Sequence, residues 1–264
     1  MQVALLGPEG TYTQQAADRY FSAFDADYTP VFYSTITEIF DSDVETAIIA
    51  FENSLGGGVE GMIDLLRERD ATITGEQVLE IEHCLLSRER DLEAIERVRS
   101  HPQALTQCSS LVREHGWETV EAASTARAAS EVGANEAALA SALAGEVHGL
   151  NVLEEGVQDT NSNATRFLIL NGPTDGVNDK TSLILDPSED RSGLLHSILG
   201  CFSGHGINLS YVQSRPTKRE LGDYYFYLEA ETDRKSEAFG KARQCLETYA
   251  TVDVLGSYPS AGRP

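Results

Sequence analysis

The stretch Gln2-Val3-Ala4-Leu5-Leu6-Gly7-Pro8-Glu9-Gly10-Thr11-Tyr12-Thr13 decides the expected architecture. Its apolar run predicts a buried strand, and the glycine loop behind the run leads into a helix predicted over about 14–21. Such a helix start can hold an anion, because its free backbone N–H groups point outward. The loop matches neither a P-loop nor a dinucleotide-binding fingerprint, so an ordinary strand-to-helix turn is an equal alternative here.

The same order of strand, loop and helix recurs in the residues that follow. A second strand is predicted over 28–32, and Thr35 with Glu38 forms a capping box that opens a short helix. A third strand, 46–51, leads into Glu52-Asn53-Ser54 and three consecutive glycines, which allow a ligand to approach the backbone or simply make a flexible turn. These repeats predict an α/β sheet whose ligand lies beyond the carboxyl ends of the strands.

The middle of the chain predicts further elements. They are strands over 77–86 and 97–100, a helix over 102–116, a helix from 124 onward and an alanine-rich helix over 135–149. Pro102 suits a first helical turn, and Gln103 and Gln107 share one face near that helix start. His83 is predicted to be a satisfied strand residue rather than a ligand.

Amides, hydroxyls and one guanidinium are concentrated in the stretch 160–166, directly before the apolar run Phe167 to Leu170. The run predicts a short buried strand, and polar groups at its mouth suit a small anionic ligand. Arg166 can bind a carboxylate through two hydrogen bonds. The alternatives are a polar turn or, in a secreted protein, a glycosylation sequon at Asn163-Ala164-Thr165.

The pattern changes beyond a turn-rich segment at 171–176. Strand, helix, two strands, helix and strand follow one another over 181–255. This βαββαβ order predicts a ferredoxin-like split unit. Its four-stranded sheet has exposed edges, which favour pairing with a second copy.

The chain is strongly acidic, with 264 residues, 42 acidic and 20 basic side chains and a formal net charge of -22. Such a surface repels nucleic acid and anionic membranes, so neither is expected as a partner. Scarce Lys among abundant carboxylates resembles halophilic proteins, so added salt is expected to stabilise the fold. Residues 1–6 carry no recognisable signal peptide and no apolar run reaches membrane-span length, so we expect a soluble, cytoplasmic protein.

The cysteines Cys84, Cys108, Cys201 and Cys245 lie far apart and form no CxxC pair. Together with six scattered histidines they give no metal-site spacing. We therefore expect buried free thiols, no metal and no cofactor.

Four segments in order, 7–13, 52–59, 100–108 and 163–167, together with the C-terminal module, resemble prephenate dehydratase, which makes phenylpyruvate in phenylalanine biosynthesis. The resemblance covers nearly the whole chain. It implies a lyase with a two-lobed α/β catalytic domain, similar to a type II periplasmic binding protein, and a ferredoxin-like ACT regulatory domain. The implied borders are 1–172 for the catalytic domain (one lobe at about 1–75 and 154–172, the other at about 76–153), 173–180 for a linker and 181–264 for the ACT domain.

The resemblance also implies the site residues of the catalytic domain. Thr165 is the residue most closely tied to catalysis, and Arg166 is the candidate carboxylate ligand. The residues implied to bind or position substrate are Thr11, Asn53, Ser54, Ser100, Gln103, Gln107, Asn163 and Phe167. Ala50-Phe51 stand where the family usually has Pro-Ile, which changes packing but leaves the Glu-Asn-Ser triplet intact. A threonine hydroxyl is too weak an acid to ionise near neutral pH, so we expect Thr165 to donate a hydrogen bond to the leaving oxygen.

For the ACT domain the resemblance implies a phenylalanine site at a subunit interface. Its residues are Gly193, Leu194, Leu195, Asn208, Leu209, Gln213, Ser214, Arg215 and Pro216. Leu194 stands where the family has Ala, and Gln213 where it has Glu, so the strength of binding is expected to differ.

The implied partners are prephenate as substrate, L-phenylalanine as allosteric inhibitor and further copies of the chain in a homodimer or tetramer. No fused chorismate mutase is expected ahead of Gly7, so prephenate would come from another protein. The alternatives are an arogenate dehydratase and a non-catalytic cytosolic amino-acid sensor.

Overall fold

The computed structural model describes residues 1–160, 162–220 and 222–262, so Asn161 of the polar stretch lies outside the described residues. The strands are β1 (Gln2–Leu6), β2 (Thr29–Tyr33), β3 (Thr46–Asn53), β4 (Gly57–Gly58), β5 (Ile73–Glu80), β6 (Cys84–Ser87), β7 (Arg97–Ser100), β8 (Glu118–Glu121), β9 (Glu136–Ala140), β10 (Asn151–Glu154), β11 (Ala164–Leu170), β12 (Lys180–Pro187), β13 (Leu209–Pro216), β14 (Tyr224–Ala230) and β15 (Ala250–Tyr258). The α-helices are α1 (Tyr12–Ala23), α2 (Ile36–Phe40), α3 (Met62–Glu68), α4 (Pro102–Gln107), α5 (Ser109–His115), α6 (Thr125–Ser130), α7 (Ala142–His148), α8 (Leu194–Ser203) and α9 (Glu237–Leu246).

The first sheet has the strand order β2-β1-β3-β11-β5, with β4 paired to β3. β1 runs parallel to β2 and to β3, as the strand–loop–helix repeats predict. The middle of β1, Val3 to Leu5, is fully buried, in keeping with a central strand covered on both faces. α1 begins at Tyr12, earlier than predicted, because the Thr11 hydroxyl caps it by accepting the Gln14 N–H.

The second sheet has the order β10-β6-β9-β7-β8. The predicted helix over 135–149 is wrong in its first half, since Glu136–Ala140 is the strand β9 and α7 begins only after the Ser141 cap. Ala138 and Ala140 pack into one hydrophobic cluster, while Ala137 and Leu139 pack into another. Alanine is a poor strand former, so packing on both faces overrides local propensity here.

Two other predicted elements are divided in the structure. The predicted strand over 77–86 is two strands, β5 and β6, which belong to different sheets. The predicted helix over 102–116 is α4 and α5, which meet at Cys108. His101 caps α4, and Gly116 ends α5 with a left-handed φ of 68°.

The third sheet is antiparallel, with the order β13-β14-β12-β15, and its elements follow one another as βαββαβ, as predicted. Apolar residues of α8 and α9 form one core with those of the strands. The expectation of free thiols is wrong for Cys201 and Cys245, which join α8 to α9 in a disulfide. Cys84 and Cys108 are free and buried.

By internal contacts the chain divides into two compact units, residues 1–59 with 77–167 and residues 60–76 with 168–262. Within the second unit α3 binds the C-terminal module, because Asp64 of α3 lies 3.0 Å from Arg215 Nη2 and 2.9 Å from Lys218 Nζ. The predicted domain borders assign α3 to the catalytic domain instead, and they stay a prediction. Among the described helices, none combines the length and apolar character needed to span a bilayer.

Candidate functional site

A cavity of about 290 Å³ opens within the first compact unit. Strand ends and helix starts supply its walls, which places polar side chains and helix-start N–H groups around one space. The lining residues are Tyr12, Asn53, Ile81, His83, His101, Gln103, Ala104, Gln107, Ala123, Ser124, Thr125, Asn163 and Thr165. Five predicted site residues are thereby brought together: Asn53, Gln103, Gln107, Asn163 and Thr165.

The Asn53 side chain links the glycine loop to Thr165. Its Oδ1 accepts backbone N–H bonds from Leu55 at 3.1 Å and from Gly56 at 2.8 Å. These donors fix the amide orientation, so Nδ2 donates to Thr165 Oγ1 at 3.0 Å and to Asn163 Oδ1 at 2.8 Å. Because Thr165 accepts this bond, its own hydroxyl proton is left to donate elsewhere. Thr165 is thus a pre-oriented donor at the cavity wall.

A hydrogen-bond chain continues from Asn163. Its Nδ2 lies 3.0 Å from Gln107 Oε1, which in turn lies 3.0 Å from His83 Nε2. His83 Nδ1 is 2.8 Å from the Tyr12 hydroxyl. Burial lowers the pKa of His83, against a smaller opposing effect of the bond to Gln107, and burial raises the pKa of Tyr12 well above its ordinary value. Near neutral pH, His83 is therefore uncharged and Tyr12 keeps its proton.

Arg166 follows Thr165 on β11, so its side chain leaves the strand on the opposite face. Its Nη2 lies 3.0 Å from Glu52 Oε2, and its guanidinium stands 4.8 Å from the centre of the Phe51 ring. Within the described residues, the cavity lining does not include Arg166. Its binding of a substrate carboxylate stays a prediction.

The other predicted substrate residues make structural contacts. Thr11 caps α1, and Ser54 Oγ donates to a backbone carbonyl of the stretch 160–166 at 2.8 Å. Ser100 is fully buried and donates to a backbone carbonyl of β9 at 2.6 Å. Phe167 is a core residue. A direct part for these residues in substrate binding stays a prediction.

Tyr12, His83, Ser124 and Thr125 line the cavity, although the sequence places none of them among the substrate residues. Ser124 caps α6, and the helix start brings Ser124 and Thr125 to the cavity wall. The hydrogen bonds of His83 are satisfied, as predicted, but its partners Tyr12 and Gln107 line the cavity. The alternating pattern over 77–86 hides the break between β5 and β6 at which His83 lies. In the described part of the chain, no group of three or more His, Cys, Asp or Glu side chains could hold a metal ion.

A second cavity, of about 190 Å³, lies in the second compact unit and is lined by parts of β12, α8, β13 and β14. Leu194 and Ser214, both implied to bind phenylalanine, are among its lining residues. Arg215 instead donates to Asp64 at 3.2 and 3.0 Å, and Gln213 accepts the Tyr211 hydroxyl at 2.7 Å. The remaining implied residues, Gly193, Leu195, Asn208, Leu209 and Pro216, lie at the start of α8 and on or beside β13. The phenylalanine site stays a prediction.

Comparison with known proteins points to one family. A family model described as prephenate dehydratase matches residues 3–174. The bifunctional chorismate mutase/prephenate dehydratase of Aquifex aeolicus is 38% identical over 275 residues, which cover 99% of this chain and 74% of that protein. The prephenate dehydratase of Methanocaldococcus jannaschii is 33% identical over 264 residues and covers 96% of each chain. Arogenate dehydratase/prephenate dehydratase 2 of Arabidopsis thaliana is 34% identical, covering 98% of this chain and 73% of that protein.

Two solved structures share the fold over nearly the whole chain. Prephenate dehydratase from Arthrobacter aurescens in complex with L-Phe has a TM-score of 0.87 at 30% identity, covering 99% of this chain and 90% of that chain. GqqA, described as a quorum-quenching acylase, has a TM-score of 0.88 at 29% identity, covering 98% of each chain.

Proposed function

The chain belongs to the prephenate dehydratase family, and we propose that it is the enzyme that converts prephenate to phenylpyruvate. In this reaction the bond between the ring and its carboxylate breaks, and its electron pair enters the ring as carbon dioxide leaves. The ring C–O bond breaks as well, and the departing hydroxide takes a proton to become water. Formation of an aromatic ring drives the reaction, so the protein must orient the substrate and assist the leaving oxygen.

The observation that carries the proposal is the direction of the bond between Asn53 and Thr165. Since Asn53 Nδ2 donates to Thr165 Oγ1 at 3.0 Å, the Thr165 proton is available for the leaving hydroxyl. A pre-oriented donor of this kind is typically worth on the order of 10²–10³ in rate. The amide groups of Gln103 and Gln107 and the start of α6 supply donors for the two substrate carboxylates.

The same bond direction argues against acylase chemistry. If Thr165 were the nucleophile of an acylase, its hydroxyl would need a neighbouring base to take its proton. Asn53 presents an amide NH₂ group to Thr165 Oγ1, and an NH₂ group donates rather than accepts. The described geometry therefore favours a donor role for Thr165.

The deciding experiment incubates the purified protein with prephenate and follows the appearance of phenylpyruvate. Arogenate, which carries an amino group where prephenate has a keto group, is tested in parallel. Turnover of prephenate supports the proposal, and faster turnover of arogenate would make the protein an arogenate dehydratase. If neither compound is consumed, the non-catalytic amino-acid sensor becomes the better account.

We further infer that residues 181–264 form an ACT regulatory domain through which L-phenylalanine inhibits the enzyme. The βαββαβ order, the cavity at Leu194 and Ser214, and the L-Phe complex of the Arthrobacter relative support this inference. The exposed edges of the sheet suit pairing of ACT domains in a homodimer or tetramer. Phenylalanine should change activity with a coupling of roughly 1–3 kcal/mol, and unchanged activity and melting temperature would contradict its role.

The strongly acidic composition supports a cytoplasm rich in salt as the place of action. With a net charge of -22, self-repulsion destabilises the compact state at low ionic strength, and salt screens it. We expect the melting temperature to rise between low and molar salt. A flat or falling melting temperature would contradict the halophilic assignment.

A further inference from the structure

Two backbone N–H groups set the direction of a hydrogen-bond chain that crosses the candidate site. The N–H groups of Leu55 and Gly56 donate to Asn53 Oδ1, so the other end of the Asn53 amide must donate. Asn163 Oδ1 accepts that bond, which leaves Asn163 Nδ2 to donate to Gln107 Oε1 at 3.0 Å. Each amide in the chain is thereby held in one orientation.

The chain also selects the tautomer of His83. Gln107 Oε1 carries no proton, so the 3.0 Å contact with His83 Nε2 requires an N–H on Nε2. A neutral imidazole has a single N–H, and Nδ1 is consequently an acceptor. The Tyr12 hydroxyl lies 2.8 Å from both Nδ1 and the carbonyl oxygen of Glu82, so these two acceptors share its single proton.

Solvent does not disturb this arrangement, because only 2% of the His83 surface is exposed. The raised pKa of Tyr12, caused chiefly by burial, keeps the phenol protonated and able to donate. With Oε1 of Gln107 occupied by both Asn163 and His83, the NH₂ group of Gln107 is the end left for a ligand in the cavity.

We propose that His83, in its Nε2–H tautomer, is a positioning residue that works with Asn163 to fix the Gln107 amide with its NH₂ group toward the substrate. The role rests on the proposed dehydratase function, in which that NH₂ group donates to a prephenate carboxylate. Without the N–H of His83, Asn163 alone holds the Gln107 amide, so the amide can more easily rotate and present its carbonyl oxygen, which repels a carboxylate. His83 thus acts through Gln107 and does not itself touch the substrate.

The tautomer is tested without any substrate. Long-range ¹H–¹⁵N correlation spectra of the ¹⁵N-labelled full chain at neutral pH separate the two neutral tautomers and the imidazolium. The set of signals that disappears in His83→Gln identifies His83. We expect protonated Nε2 and unprotonated Nδ1. The reverse tautomer or a charged ring would overturn the inference, whatever the protein does to prephenate.

The positioning role is tested by a double-mutant cycle with prephenate as substrate. His83→Leu removes the donor and should lower kcat/KM about 10-fold or more, still less than Gln107→Leu, which removes the substrate contact itself, on the order of 10²-fold. In the Gln107→Leu background, His83→Leu should have almost no further effect. His83→Gln carries an amide N–H in place of Nε2–H and should retain most of the activity.

Thermal unfolding of each variant controls for loss of the fold. If His83→Leu does not fold, Tyr12→Phe replaces it in the cycle, since it removes the hydroxyl beside His83 Nδ1 and keeps both rings. Independent, multiplying effects of the two substitutions would overturn the positioning role, as would a His83→Gln variant as impaired as His83→Leu. An inactive wild-type protein with the expected tautomer would instead count against the dehydratase function alone.

Discussion

Replacing Asn53 by Asp, a side chain of the same size, should turn the Thr165 proton away from the leaving oxygen and also remove the donor to Asn163 Oδ1. One carboxylate oxygen can still accept the N–H groups of Leu55 and Gly56, as Oδ1 does now at 3.1 and 2.8 Å. The other oxygen replaces the NH₂ group that donates to Thr165 at 3.0 Å. An acceptor at that place draws the Thr165 proton to itself, so the hydroxyl no longer points to the leaving oxygen.

The size of the effect follows from the bond that the substrate must displace. A hydrogen bond to a charged group is worth about 1.5–3 kcal/mol. Since about 1.4 kcal/mol corresponds to tenfold in rate, kcat should fall about 10- to 100-fold. The new negative charge also repels the anionic substrate, so KM should rise.

Steady-state kinetics with prephenate measure both constants, with Asn151→Asp as the matched control. Asn151 is exposed and its Nδ2 also donates to backbone carbonyls, at 3.1 and 3.0 Å, but it does not line the cavity. That control should leave kcat unchanged. A folded Asn53→Asp variant with near-normal kcat would refute the reasoning. Equal losses of kcat from Asn53→Asp with and without Thr165→Val would refute it too.

Three further outcomes are expected. Thr165→Val should lower kcat on the order of 10²–10³-fold with little change in KM; steady-state kinetics check this, and near-normal turnover would contradict the donor role. Burial alone would raise the pKa of Asp64, but the bonds from Arg215, Tyr225 and Lys218 outweigh burial and hold that pKa below its ordinary value. The stability that Asp64 contributes is therefore present above about pH 4 and lost as the pH falls. Urea unfolding should show that Asp64→Asn is about 1.5–3 kcal/mol less stable than the wild-type protein at pH 7, and that this difference shrinks in acid. A difference that stays constant with pH would contradict the linkage. Reducing the disulfide between Cys201 and Cys245, which are 44 residues apart in sequence, should lower the free energy of unfolding by about 3–4 kcal/mol. Titration of four thiols in the unfolded, unreduced protein would show instead that no disulfide exists.

The fold could be predicted wherever local signals and packing agree. β1 and α1 are such a case, because an apolar run and the glycine loop behind it mark them in the sequence, although the Thr11 cap starts α1 earlier than predicted. β9 is the opposite case, since Glu136–Ala140 has a helix-forming composition and is a strand only because both of its faces are covered. The disulfide between α8 and α9 is likewise a matter of tertiary proximity that cysteine spacing does not reveal.

The sequence predicted several residues of the candidate site, but not the hydrogen bonds between them. The resemblance to the family grouped Asn53, Gln107 and Thr165, whereas the strand–loop–helix pattern predicted only that a ligand lies beyond the strand ends. The hydrogen bond between Tyr12 and His83 joins residues 71 apart, and no local pattern encodes it. The period of two along β11 would have placed Thr165 and Arg166 on opposite faces, but only the structure identifies which face meets the cavity.

The attachment of α3 to the C-terminal module limits where the gene can be divided. A truncated chain ending near residue 172 would remove the partners of Asp64 and the Asp186 partner of Arg67, leaving charged groups of α3 without compensation. Gly256 also fits closely against β5, where an added Cβ would stand 2.0 Å from the Ile73 backbone oxygen. Excising the first 172 residues as a free-standing catalyst therefore calls for a redesigned α3 surface, and swapping in a relative's C-terminal module calls for matched partners at Arg215 and Asp186.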